Sequence, residues 1–189
     1  MGKVTQRLSR EDWILAGFRA LAAGGAGALR VEPVSRDLGT TKGSFYWHFK
    51  DPAHWRTAML DYWEDAAFRE IVSELQALPK GAARLHALAW IASTKGHDPS
   101  HGGTAAEPAL RDWARYAPDV AEAVRRVDEG RIEFVAQCFR DMRTDGRDKA
   151  RSARLFYAAY LGLQTLHGQP DDDAAALITL IADLSGDGG

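Results

Sequence analysis

The sequence predicts an all-α chain, on three observations. Apolar residues recur at three- and four-residue spacing, as in Ile14, Phe18, Leu21 and Ala22. Runs of β-branched residues, the usual mark of strands, are few. Helix breakers gather in clusters, Gly24-Gly25-Ala26-Gly27, Pro79-Lys80-Gly81 and Asp145-Gly146, which divide the chain into helix-sized pieces. No tandem repeat or low-complexity tract interrupts the pattern.

Each element has its own signal. Ser9 followed by Asp12 forms a capping arrangement for a first helix, with Asp in place of the usual Glu. The glycines at 24, 25 and 27 end it, because glycine tolerates the left-handed turn of a helix exit. A short helix is predicted from about Pro33 to Leu38, with proline suited to its first turn. Gly39 breaks it, and Thr41 can cap a third helix running through Phe49. Asp51 and Pro52 open a long helix to about Leu78. Further helices are predicted at about Ala82–Thr94, Pro108–Ala114, Asp119–Met142, Asp148–His167 and Asp171–Leu184. The three aspartates at 171–173 suit the positive end of the last helix. Lys95 to Thr104, with three glycines and a proline, reads as a loop, and Gly186 to Gly189 as a frayed tail.

Composition narrows the class. Of the 189 residues, 46% are hydrophobic and 26% charged, an ordinary globular balance. No apolar run approaches the roughly 20 residues that cross a bilayer, and the polar start Met1 to Arg10 does not resemble a secretory signal. Cys138 is the only cysteine, so no intrachain disulfide can form and a cytoplasmic location is expected. The net charge of −2 conceals a split: residues 1–50 carry +4 and the rest −6. A basic head on an acidic body is the pattern of a chain whose head alone meets a polyanion, although chance fluctuation produces such splits too.

The segment VEPVSRDLGTTKGSFYWHF, from Val31 to Phe49, encodes two short helices joined by a tight glycine-containing turn, a helix-turn-helix. Leu38, Phe45 and Phe49 can all face the first helix. The opposite face keeps Lys42, Ser44, Tyr46, Trp47 and His48. That set suits DNA: a cation and hydroxyls for phosphates or base edges, rings for sugars and methyl groups. The backbone N–H groups beginning at Thr41 add donors for a phosphate. A plain amphipathic helix with a solvated face fits the same residues.

The run LGTTKGSFYWHFK, after a helix with a glycine-rich exit, resembles the tetracycline-repressor (TetR) family. The resemblance covers residues 10–60 strongly. The stretch PALRDWARYAPDVAEAVRRVDEGRIEFVAQCF extends it more weakly, to about residue 167. It implies a three-helix helix-turn-helix DNA-binding head at 1–50 and a helical effector-binding and dimerisation body at 51–189. Thr41 would cap the recognition helix, Lys42 and Ser44 would read base edges, and Tyr46 and His48 would grip phosphates. Trp47 would pack on sugar or a thymine methyl, and Lys50 would add charge beside the backbone. Thr5 and Arg7 would touch phosphate or the minor groove. Pro52 occupies a position where the family often has Lys, so one phosphate contact is lost and Lys50 is left to compensate. Gly43 either permits close approach to the DNA or is a turn residue without a contact.

The body carries no catalytic signal: no Ser/His/Asp grouping and no phosphate-binding glycine loop. His97, Asp98 and His101 lie between proline and glycine, where the imidazoles are not fixed on one helix face, so no metal is expected. No cofactor is expected either. Cys138 reads as a small core residue. The charged run Arg125, Arg126, Asp128, Glu129, Arg131 and Glu133 reads as a solvated face. Aromatic residues spread over successive helices read as core, and some of them as the walls of an effector pocket. Trp90, Trp113 and Phe134 are the expected lining. By the resemblance, the effector is small and largely apolar. Residues 155–163 leave almost no polar face, so that helix must be covered on more than one side. With the last helix it would form a four-helix bundle across a two-fold axis, through Phe156, Tyr160, Leu163, Leu177 and Ile181. The expected function is a homodimeric repressor on a pseudo-palindromic double-stranded operator, with no membrane partner. A dimeric DNA-binding module that senses nothing, or an all-helical enzyme, would fit the same fold.

Overall fold

The computed structural model describes residues 8–94, 106–142, 148–166 and 169–185, and these are helical with no strand among them. The helices are α1 (Arg10–Gly24), α2 (Val31–Asp37), α3 (Lys42–Phe45), α4 (Pro52–Glu64), α5 (Glu70–Gln76), α6 (Ala82–Thr94), α7 (Ala106–Ala114), α8 (Pro118–Asp141), α9 (Lys149–Leu166) and α10 (Pro170–Ser185). A 3₁₀ turn at Ala26–Ala28 follows α1, and a π turn at Asp65–Arg69 joins α4 to α5. Thr5, Arg7, His97, Asp98 and His101 lie outside the described residues.

The predicted capping box at α1 is formed. The Ser9 hydroxyl accepts from Asp12 N at 3.1 Å, and the Asp12 carboxylate accepts from Ser9 N at 2.7 Å. These bonds from Ser9 hold the Asp12 carboxyl below its ordinary value. Gly25, at φ 65°, supplies the left-handed exit. Both α2 and α7 start two residues earlier than predicted, because proline needs no N–H within the first turn of a helix and so does not mark its first residue. The predicted long helix at 51–78 is broken by the π turn.

The residues group into two compact units. The first holds the described residues up to Trp63 together with Ala106 to Val124; the second holds Glu64 to Thr94 and those from Arg125 on. The core of the first is aromatic. Phe45 is fully buried among Trp13, Phe49 and Trp55, with ring centroids 5.2 to 5.6 Å away. The Trp55 indole N–H donates to the Trp13 carbonyl at 3.1 Å, tying α4 to α1. Gly17 makes that approach possible: a Cβ there would lie 2.6 Å from Met59 Sδ and 2.8 Å from the Trp55 ring. On α7, Leu110 and Trp113 are buried, and the helix packs against α1.

In the second unit, α6 lies along α10, and α8 and α9 complete the core around Leu85, Phe139, Phe156, Leu177 and Ile181. Cys138 is buried there, and burial pushes its thiol up to about 11, which keeps it protonated and unreactive at neutral pH. No helix among the described residues is long and apolar enough to cross a membrane.

Candidate nucleic-acid interface and effector cavity

The α2–turn–α3 unit is locked from inside. Gly39, at φ 64°, reverses the chain after α2, and Thr40 N donates to Ser35 O at 2.8 Å across the turn. The regular helix of α3 is shorter than the predicted span to Phe49. After Phe45 the chain tightens into i→i+3 bonds, Trp47 N to Ser44 O and His48 N to Phe45 O. Phe45 and Phe49 nonetheless share one buried side. That anchoring leaves Thr41, Lys42, Gly43, Tyr46, Trp47 and Lys50 exposed and Ser44 and His48 half-buried.

Trp47 is 81% exposed, a large indole that no intrachain packing accounts for. Lys42 Nζ is 3.2 Å from Glu32 Oε1, but both side chains are more than half exposed, so the pair is weak and easily exchanged for another anion. Thr41 sits at the cap position with extended backbone, yet its hydroxyl caps no backbone N–H, contrary to the expected role. A Cβ at Gly43 would meet only Thr41 Oγ1 at 3.6 Å. The chain itself therefore gives no reason for glycine in this helix, where it costs about 1 kcal/mol relative to alanine.

At the start of α4, the Asp51 carboxylate accepts from His54 N at 2.8 Å, a bond that holds Asp51 below its ordinary value. His54 Nδ1 accepts from Lys50 N at 3.2 Å, which fixes the backbone at Lys50.

The second unit contains a cavity of about 500 Å³. Phe68, Ile71, Leu88 and Phe134 form much of its apolar wall, and Arg131, Tyr157 and Tyr160 supply the polar groups. Of the three expected lining residues, only Phe134 is there. Trp90 is 53% exposed on α6, and Trp113 is buried in the first unit. Even spacing of aromatics along a sequence does not reveal which of them share an interior.

Arg131 was missed. It is half-buried, not part of a solvated face. Its Nε and Nη2 donate to the Ala67 carbonyl in the π turn at 3.3 and 3.1 Å, and Nη1 donates to the Tyr157 hydroxyl at 3.2 Å. Tyr157 in turn donates to Asp128 at 2.6 Å. A signal was present: Arg131 lies four residues after Val127 and four before Val135, both buried, so it shares their side of α8. Gly130 beside it is a second signal, since a Cβ there would strike the Phe68 ring at 2.7 Å. Among the described residues no group of His, Cys, Asp and Glu is placed to hold a metal.

The expected dimer residues need correction. Phe156, Leu177 and Ile181 are 1–2% exposed within a single protomer, and Tyr160 lines the cavity. Leu163 is half-buried. What α9 and α10 do expose is Leu155 (51%), Leu166 (74%) and Ile178 (38%), with Ala158, Gly162 and Ala175 along the same helices.

No family model matches this chain, and no curated protein sequence is similar to it. Solved structures are. A TetR-family transcriptional regulator from Rhodococcus sp. is 24% identical with a TM-score of 0.72, covering 93% of this chain and 98% of its own. A transcriptional regulator from Saccharomonospora viridis, in complex with choline, is 20% identical with a TM-score of 0.75, over 91% and 94% of the two chains. NalD of Pseudomonas aeruginosa, the secondary repressor of the MexAB-OprM multidrug efflux pump, is 22% identical with a TM-score of 0.67, over 95% and 97%. The chain has the fold of these transcriptional regulators: all-α, with an N-terminal three-helix helix-turn-helix head followed by a larger helical body.

Proposed function

We propose that the chain is a TetR-family transcriptional repressor that acts in the cytoplasm as a homodimer and carries no catalytic activity. Residues 1–50 bind DNA, and 51–189 dimerise and sense a small molecule. The observation that carries this reading is the exposed face of α3: a cation, hydroxyls and an 81% exposed indole, held outward by the burial of Phe45 and Phe49. Lys42 and Ser44 read base edges. Tyr46 and His48 grip phosphates, with Thr41 and Lys50 beside them, and Trp47 packs on sugar or methyl groups. Gly43 admits the DNA backbone.

The exposed apolar positions on α9 and α10 supply the dimer interface, and a two-fold dimer matches a pseudo-palindrome. The cavity lined by Phe134 takes the effector. The run from α4 through the π turn into α5 is covalently continuous from the first unit into the second, a physical path for coupling the two. An effector lowers DNA affinity only if it binds the two conformations unequally; a coupling of about 1–3 kcal/mol gives roughly 5–150-fold.

Selection of double-stranded DNA from a random pool by the purified protein tests this. The expected product is an inverted repeat with half-sites about 10 base pairs, or a multiple, apart. On that sequence Lys42→Ala costs about 1–3 kcal/mol and relaxes base preference, whereas Tyr46→Phe weakens selected and scrambled DNA alike. Equal losses on both DNAs for Lys42→Ala would remove its base-reading role. Retention of no double-stranded DNA would remove the function.

A further inference from the structure

The cavity has a chemical asymmetry. Nine of its twelve lining residues are apolar, and one, Arg131, is charged. The guanidinium is fixed by the Ala67 carbonyl and the Tyr157 hydroxyl. It also lies 6.0 Å from the Tyr157 ring centroid and 5.7 Å from that of Tyr160. Asp128, bonded to Tyr157, does not line the cavity. The wall is thus a greasy surface carrying one rigid cationic fork and no carboxylate.

Two consequences follow from elementary electrostatics. A ligand anion entering such a wall replaces its lost hydration with charge-assisted hydrogen bonds to a planar donor that already points in a fixed direction. A ligand cation meets the opposite. The two tyrosine faces that would attract it are already occupied by the guanidinium, and the like charge repels it. The similar Saccharomonospora viridis protein holds choline, a quaternary ammonium; the Arg131 cluster makes that head group unsuitable here.

We infer that the cavity takes an apolar molecule with a single anionic, hydrogen-bond-accepting head, of the aromatic or alkyl monocarboxylate class, and that Arg131 reads the head. The inference rests on the reading of this cavity as the effector site. It also gives occupancy a mechanical meaning. A carboxylate that accepts from Arg131 competes with the Ala67 carbonyl, which belongs to the π turn. Departures from regular α-helix of this kind persist where a side chain inserts into the helix ladder, so withdrawing the guanidinium alters the turn that follows α4 in the chain.

Three probes with one body and different heads provide the test: naphthoate, naphthylmethanol and naphthylmethyl-trimethylammonium, titrated calorimetrically into the full chain. Naphthoate is expected to bind about ten-fold or more tighter than the alcohol, and the ammonium weakest. Arg131→Gln should bring naphthoate down to the level of the alcohol and leave the alcohol unchanged. If that variant does not fold, the wild-type ranking decides. An ammonium or alcohol that binds as tightly as naphthoate overturns the inference. So does failure of all three to bind at millimolar concentration by a preparation that still retains double-stranded DNA, and in that case the DNA-binding function stands. Naphthoate bound through Arg131 by a protein that retains no DNA supports the cavity chemistry and removes only its regulatory meaning.

Discussion

Replacing Phe45 by alanine is expected to destabilise the protein by about 3–5 kcal/mol and to abolish DNA binding. The ring is fully buried and meets four aromatic neighbours, Trp13, Tyr46, Phe49 and Trp55, two of them edge-on from α1 and α4. Deleting it removes the transfer energy of the ring and leaves a cavity whose walls are themselves large and rigid, so collapse recovers little. A typical domain has about 5–15 kcal/mol of total stability, so the loss is a large fraction of it. The same residue sets which way α3 faces, because Phe45 and Phe49 are the side chains that hold its inner side. Urea denaturation followed by circular dichroism measures the effect. A loss below about 1 kcal/mol would mean that the aromatic cluster is not what seats α3.

The second large effect belongs to the dimer. Leu155→Glu combined with Ile178→Glu places charge at two positions that are 51% and 38% exposed in the protomer, so the fold should tolerate both. Across a two-fold axis each change occurs twice, and four carboxylates would be buried in an apolar interface without partners. Sedimentation should then show a monomer with unchanged helicity. Operator affinity should fall about 100-fold or more, because the second half-site no longer binds intramolecularly. A variant that remains dimeric would place the interface elsewhere than these faces of α9 and α10.

Much of the fold was legible in the sequence, and the failures have identifiable causes. The Ser9–Asp12 cap, the exit at Gly25, the break at Gly39 and the extent of α6 depend on short-range chemistry, and residue types report that directly. So does the sidedness of α3, since Phe45 and Phe49 lie four apart. The π turn at Asp65–Arg69 was invisible, because no proline or glycine marks it; it is stabilised at long range by Arg131, 64 positions from Ala67. The pocket lining failed for the same reason. Trp90 and Trp113 are aromatic, but only tertiary packing decides that one faces outward and the other belongs to a different unit. Phe156, Leu177 and Ile181 have interface-like side chains that the protomer uses for its own core. Periodicity identifies an apolar face without saying which apolar partner covers it. Arg131 was the recoverable error, lying on the buried register of α8 between Val127 and Val135.

The central claim, that the outer face of α3 meets DNA, is tested most directly by Gly43→Ala. The backbone there is not left-handed, and an added Cβ finds open space within the chain. The substitution should therefore leave the melting temperature unchanged or raise it, by up to about 1 kcal/mol of helix propensity. If the glycine lets DNA approach, the same methyl group should lower operator affinity by roughly ten-fold or more, the size of one lost contact. A protein that is at least as stable and binds DNA at least ten-fold more weakly is the predicted result. Full operator affinity in the alanine variant would contradict the account.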